Sequence, residues 1–175
     1  EFIYPVAITK DAEENYYVGE YGNNDRIQKF SREGEWLGVF GSWGTNPGQF
    51  QRPSGIAWHE GLVYVADAVN NRIQVFTDTG KFQKILALHH DDQELTLHLP
   101  YDLTVDTDGT LYCIEYGAGR ITKLRTTGEV LGRLGKQGSA RGEFATPWGI
   151  AVDEVGNLRV ADTGNRRLVA LSKSS

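Results

Sequence analysis

The sequence predicts an all-β protein built of repeated four-stranded blades, and three observations predict it. Pro5, Pro53, Pro100 and Pro147 lie 48, 47 and 47 residues apart. About a dozen residues recur four times in edited form: VGEYGNNDRIQKF, VADAVNNRIQVF, IEYGAGRITKL and VADTGNRRLVAL. No stretch carries an apolar stripe of helical period, whereas short runs rich in β-branched and aromatic residues alternate with glycine turns.

Each repeat opens with an apolar strand at its proline: PVAIT, PSGIAW, PYDLTV and PWGIAV. A polar turn follows, clearest in DTDG and DEVG, and leads to the second strands NYYVGE, LVYVAD, LYCIEY and LRVADT. After a loop the chain returns as RIQKF, RIQVF, RITKL and RLVAL. A second glycine turn (REGE, DTGK, TTGE) precedes a fourth strand such as EWLGVF or KFQKIL. Four strands in a unit of about 47 residues is the size of a β-propeller blade. The blade units run 5–52, 53–99, 100–146 and 147–175, within one partial propeller spanning 1–175.

The composite P-x-G-I-A-V-D … V-A-D-T-G-N-x-R-I-Q-V-F … G-x-x-G-x-x-x-G-x-F-x-x-P resembles the NHL repeat, best over residues 53–76 and 135–171. The resemblance covers essentially the whole chain and is to bacterial-type examples. It implies a ring of six blades, of which this sequence is the C-terminal part. Glu1, Phe2 and Pro5 occupy the places of Glu143, Phe144 and Pro147 in the connector GKQGSARGEFATP, so the chain opens on a connector tail. It stops after RLVALSKSS, one strand short of a full blade. The expectation is therefore an incomplete ring of about four blades, with the last blade lacking its outer strand. The remaining blades, or further copies in a homo-oligomer, would complete the ring.

The 175 residues are 39% hydrophobic and carry a net charge of −5. The basic residues are spread along the chain, which argues against nucleic acid and anionic membrane as partners. No apolar run approaches the roughly 18 residues of a membrane span. No signal-peptide pattern opens the sequence, and the compartment is left open, export included. Cys113 stands alone, which excludes an internal disulfide.

In each copy of the repeat an acid closes the second strand and an arginine opens the third. The pairs are Glu20 with Arg26, Asp67 with Arg72, Glu115 with Arg120 and Asp162 with Arg167. Across a tight loop they can pair, with Asn70 or Asn165 bonding the turn backbone. A site for one ligand seldom needs the same residues in every blade, so a structural clasp is the expectation. The competing reading is a ring of acids and arginines around a polar ligand.

Departures from the repeat are better functional candidates. Asp102 stands where Gly55 and Gly149 stand in their repeats. At the start of an innermost strand, its carboxylate would bind a hard cation or substrate hydroxyl, or else backbone amides of the connector. Tyr21 and Tyr116 replace Ala68 and Thr163 on the second-to-third-strand loop, as contact surface or as packing. Tyr101 and Trp148 follow their prolines, as an aromatic rim or as packing. The connector LALHHDDQELTLHLP lacks the glycine pattern. Its His89, His90, Asp91, Asp92 and His98 match no known ligand spacing and read as a solvated acidic loop.

The function expected is a non-catalytic binding or scaffolding propeller. Its connectors and second-to-third-strand loops, on one face, would meet a protein or other ligand. The alternative is a channel-centred enzyme, a metal-dependent lyase or a hydrolase or lactonase, with part of its site on missing blades. No cofactor is expected for the first reading. For the second, the resemblance to calcium-holding six-bladed hydrolases makes Asp102 a candidate ligand of a channel calcium. No Ser-His-Asp constellation or phosphate-cradling glycine loop is visible.

Overall fold

The computed structural model describes residues 1–172, which form strands joined by turns and one short 3-10 segment, Thr163–Asn165. The chain divides into two compact units, Glu1–Leu86 and Ala87–Ser175. In the first unit, β1 (Tyr4–Lys10), β2 (Tyr16–Tyr21), β3 (Arg26–Phe30) and β4 (Trp36–Phe40) form one antiparallel sheet in sequence order. A second sheet follows, built of β5 (Pro53–His59), β6 (Leu62–Asp67), β7 (Arg72–Thr77) and β8 (Phe82–Ile85). These are the first and second blades.

The second unit begins with a hairpin, β9 (Leu88–His90) and β10 (Gln93–Leu95). The third blade is β11 (Pro100–Val105), β12 (Thr110–Glu115), β13 (Arg120–Arg125) and β14 (Val130–Leu134). The fourth blade has three strands among the described residues, β15 (Gly149–Val152), β16 (Leu158–Asp162) and β17 (Arg167–Leu171). The architecture is an all-β propeller arrangement of four blades.

Each unit buries an apolar layer between its two blades. In the first, Tyr17 and Ile27 pack with Ile56, Val63, Val65 and Phe76, joined by Phe50 from the connector. In the second, Tyr112, Ile114 and Ile121 pack with Ile150, Leu158 and Val160, joined by Phe144. Phe50 and Phe144 hold the same connector position, which explains the spacing of glycine and phenylalanine there. A Cβ on Gly135 would stand 2.6 Å from the Phe144 ring, and Gly135 has φ +96°, a left-handed conformation that disfavours side chains. Gly41 meets Phe50 in the same way.

The innermost strands share an irregularity. The pairing register shifts between Pro5 and Ala7, between Pro53 and Gly55, and between Pro100 and Asp102. The extra residue is Val6, Ser54 or Tyr101, and a bulge of this kind re-aims a side chain at the end of a sheet. The residue before the proline also turns sharply: Arg52, Leu99 and Thr146 have φ of 63°, 51° and 43°. Left-handed φ is uncommon outside glycine and most unfavourable for β-branched Thr146, so these corners must be held by their surroundings.

The connector between the second and third blades is a hairpin rather than the expected loop. His89 donates its amide to the Gly128 carbonyl at 3.1 Å, and His89 bridges Glu129 in parallel beside β14. A His90 ring nitrogen lies 2.9 Å from the Val130 carbonyl oxygen, and Arg133 donates to the Thr96 carbonyl at 2.7 Å. His89, His90, Asp91 and Asp92 are all exposed.

Candidate functional site

The second-to-third-strand loops sit beside the connector that leads into their own blade, and the recurrent acids bind the two together. All four acids are fully buried. In the second blade, Asp67 Oδ2 accepts from Arg72 Nε at 2.7 Å, Asn70 Nδ2 at 2.9 Å and Gln74 Nε2 at 3.1 Å. Its Oδ1 accepts the Gln51 amide at 2.7 Å. In the fourth blade, Asp162 accepts from Arg167 and Asn165, each at 2.8 Å, and from the Ala145 amide at 2.8 Å. Glu20 accepts from Arg26, from Gln28 at 2.8 Å and from the Ile3 amide at 2.9 Å. Glu115 takes a two-pronged contact from Arg120, at 2.8 and 2.9 Å, a bond from Thr122, and the His98 amide at 2.7 Å.

Every acid thus holds an amide two residues before the blade's proline, one place ahead of the left-handed corner where that corner is present. That tie left no trace in the sequence, because a backbone amide carries no residue label. Asn70 and Asn165 also differ from expectation. They donate to the connector carbonyls of Gly44 and Gly138, at 3.0 and 2.9 Å, as well as to their own acids. The exposed-pair scale of roughly 0–1 kcal/mol does not apply to carboxylates this buried.

Environment separates two of the acids. For Asp67, burial outweighs its hydrogen bonds and pushes the carboxyl above the usual range. For Glu20, burial works in the same direction, but the Ile3 amide, Arg26 and Gln28 outweigh it and hold the carboxyl below the usual range.

Of the singled-out residues, the second unit brings three aromatics together. Tyr101 stacks on Tyr116 with ring centres 5.1 Å apart and lies 5.7 Å from Trp148. Tyr101 is the extra residue of its bulge, and Trp148 holds the same place after its own proline, just ahead of β15. Trp148 is 52% exposed. Gln137 Nε2 reaches the Tyr116 carbonyl at 3.3 Å, fastening the platform to the connector. Tyr21 belongs to the other unit, where it stacks on Tyr4 at 5.5 Å and under the Arg52 guanidinium at 4.8 Å.

Asp102 is partly buried beside this platform. Its Oδ1 accepts the Leu103 amide at 2.8 Å, and its Oδ2 accepts the Ile150 amide at 2.9 Å, joining the innermost strands of two blades. Burial pushes its carboxyl up to about 6, against the pull of those two amides. Both oxygens therefore have partners. Among the described residues no group of three or more His, Cys, Asp or Glu side chains is arranged to hold a metal ion.

One recurrent element escaped sequence reasoning. Tyr17 donates to Asp11 at 3.1 Å, and Tyr112 donates to Asp106 at 3.2 Å. Lys29 and Lys123 lie over the respective rings at 4.9 and 5.7 Å. Burial, then the neighbouring carboxylate, raises both phenols, Tyr112 to about 12. The signal was the shared spacing of six residues from acid to tyrosine in DAEENYY and DTDGTLY.

Residues 50–76 match the family model of the NHL repeat. NHL repeat-containing protein 3 of Mus musculus is 26% identical over 91% of this chain and 49% of its own length. The Protein brain tumor of Drosophila melanogaster is 26% identical over 77% of this chain and 13% of its own length. The chain thus spans about half the length of the first of these relatives. Among solved structures, a nidogen/laminin complex aligns with a TM-score of 0.71 at 18% identity, over 98% of this chain and 61% of the other. A streptogramin B lyase aligns at 0.68 and 17%, over 98% and 52%. Both likenesses are of fold.

Proposed function

We propose that this chain, whose blades are NHL repeats, is a non-catalytic binding module that recognises a protein partner with the connector-and-loop ends of its blades. The observation that carries the reading is the division of labour among the polar and aromatic groups there. The recurrent acids and arginines are consumed in holding loop to connector, and the aromatics Tyr101, Tyr116 and Trp148 stand on that rigid base. Rigid, amphipathic aromatics offer contact area at low entropic cost. Relatives among NHL repeat proteins and the propeller architecture favour protein interaction in general terms.

The enzyme alternative asks for a carboxylate free to bind a calcium ion or a substrate hydroxyl. Asp102 is the candidate, and its oxygens already accept two amides. The binding reading therefore has the stronger support. Its test is photo-crosslinking from position 148 in the native cell extract, with position 81 as an exposed control. A discrete partner captured only from position 148, and lost with Tyr101→Ala, is the expected result. Equal capture from both positions would overturn the reading.

A further inference from the structure

The outer edges of the blades are not alike. β8 carries Gln83 and Lys84, both exposed, and a charge on an edge strand discourages unwanted strand pairing. β14 carries Arg133, and the hairpin strand β9 makes a parallel bridge just ahead of its start, at Glu129. β4, with the sequence WLGVF, has neither protection. It closes its sheet with no strand on its outer side among the described residues, and it contains no charged residue. Leu37 and Val39 are 50% and 47% exposed.

Beside this edge lies a groove of about 270 Å³ lined by Leu37, Val39, Phe40, Lys29, Asp78 and Thr79. The Lys29 ammonium is already engaged, 3.3 Å from an Asp11 carboxylate oxygen and 3.1 Å from the Asp78 carbonyl oxygen. The Asp78 carboxylate makes no ion pair among the described residues. An uncharged, unpaired strand edge thus borders an apolar groove whose uncompensated charge is negative.

We propose that β4 is a docking edge for an extended segment of a partner polypeptide. The segment adds as a further strand, places an apolar side chain in the groove and sets a lysine or arginine against Asp78. The chemistry of the occupant follows from three features. The unpaired main chain of β4 asks for another main chain, as in strand addition. The charge of the groove asks for a basic residue. In the other unit the corresponding strand, β14, has the β9 hairpin at its start: His89 bridges Glu129 in parallel and donates its amide to the Gly128 carbonyl, just ahead of β14. Five strand residues are too few for a stable dimer, which needs on the order of 1,200 Å² or more, but they suit a short linear segment. This edge belongs to the first unit and shares no residue with the aromatic platform.

The test is fluorescence anisotropy with a labelled synthetic nonapeptide of alternating valine and threonine carrying one terminal lysine. Its comparators are the same peptide with glutamate for lysine and one with alternate amides N-methylated. The lysine peptide binds, the N-methylated peptide does not, and Leu37→Lys weakens binding by at least about tenfold. Gln83→Lys, on the outer edge of the second blade, leaves binding unchanged. Asp78→Asn abolishes the preference for lysine over glutamate. Thermal denaturation confirms that each variant is folded. Absence of binding at millimolar peptide, equal binding of the N-methylated peptide, or indifference to Leu37→Lys would each overturn the proposal.

Discussion

The second and fourth blades tie their loops differently from the third. Where the acid is aspartate, its side chain is short, an asparagine three residues on completes the contact, and the arginine fork reaches past the acid. Arg72 donates to the carbonyls of Thr45, Asn46 and Gln49, and Arg167 to those of Ser139, Ala140 and Glu143. Where the acid is glutamate, the longer side chain does more of the spanning. In the third blade, Arg120 turns two nitrogens onto Glu115. The aspartate clasps go with the glycine-patterned connectors, and the glutamate clasps go with the tyrosine-glycine loops. One repeat position therefore encodes two fastenings.

The largest effect should come from breaking a clasp. Arg72→Ala leaves Asp67 buried without its cation and frees the Thr45 and Asn46 carbonyls, Gln49 keeping its bond from Gln74, an expected loss of about 3–5 kcal/mol in urea denaturation. Arg120→Ala frees only the acid and should cost less. Equal losses would mean that the connector contacts of Arg72 contribute nothing.

Asp102 comes next, since it ties two blades of the second unit where Ala7 stands in the first. Its folded value, about 6, lies above the ordinary 3.8, so the folded chain holds the proton more tightly. The associated stability is fully present below pH 4 and is lost as pH rises to 6, by about 2–3 kcal/mol. Asp102→Asn should flatten that part of the stability–pH curve, and an unchanged slope would assign it elsewhere. Asn165→Ala should cost about 1–2 kcal/mol, because it removes bonds to Asp162 and to the Gly138 carbonyl. The smallest effect concerns Trp58, whose buried Nε1 has no hydrogen-bond partner among the described residues. Trp58→Phe should change stability by under about 1 kcal/mol, the unsatisfied donor offsetting much of the lost packing.

The strands and the acid–arginine pairs could be read from the sequence because repetition places the same residue types at the same spacing four times over. Ties that end on backbone atoms could not, since the amides of Gln51 and Ala145 leave no residue signature. The bulge that aims Tyr101 was equally silent, because an extra residue shows only once two strands are in register. The connector around His89 read as a loop on its polarity. Its two strands pair with each other, and His89 and His90 reach the Gly128 and Val130 carbonyls, partners that lie far along the chain.

Cys113 sits fully buried in β12, between two neighbouring strands, and burial holds its thiol well above its ordinary value. A buried, protonated sulfur is inert to alkylating reagents until its strand is released. As the single thiol of the chain, it acts as a built-in clock. Its rate of modification would report how often the second unit opens, and opening of the first unit alone would leave it silent.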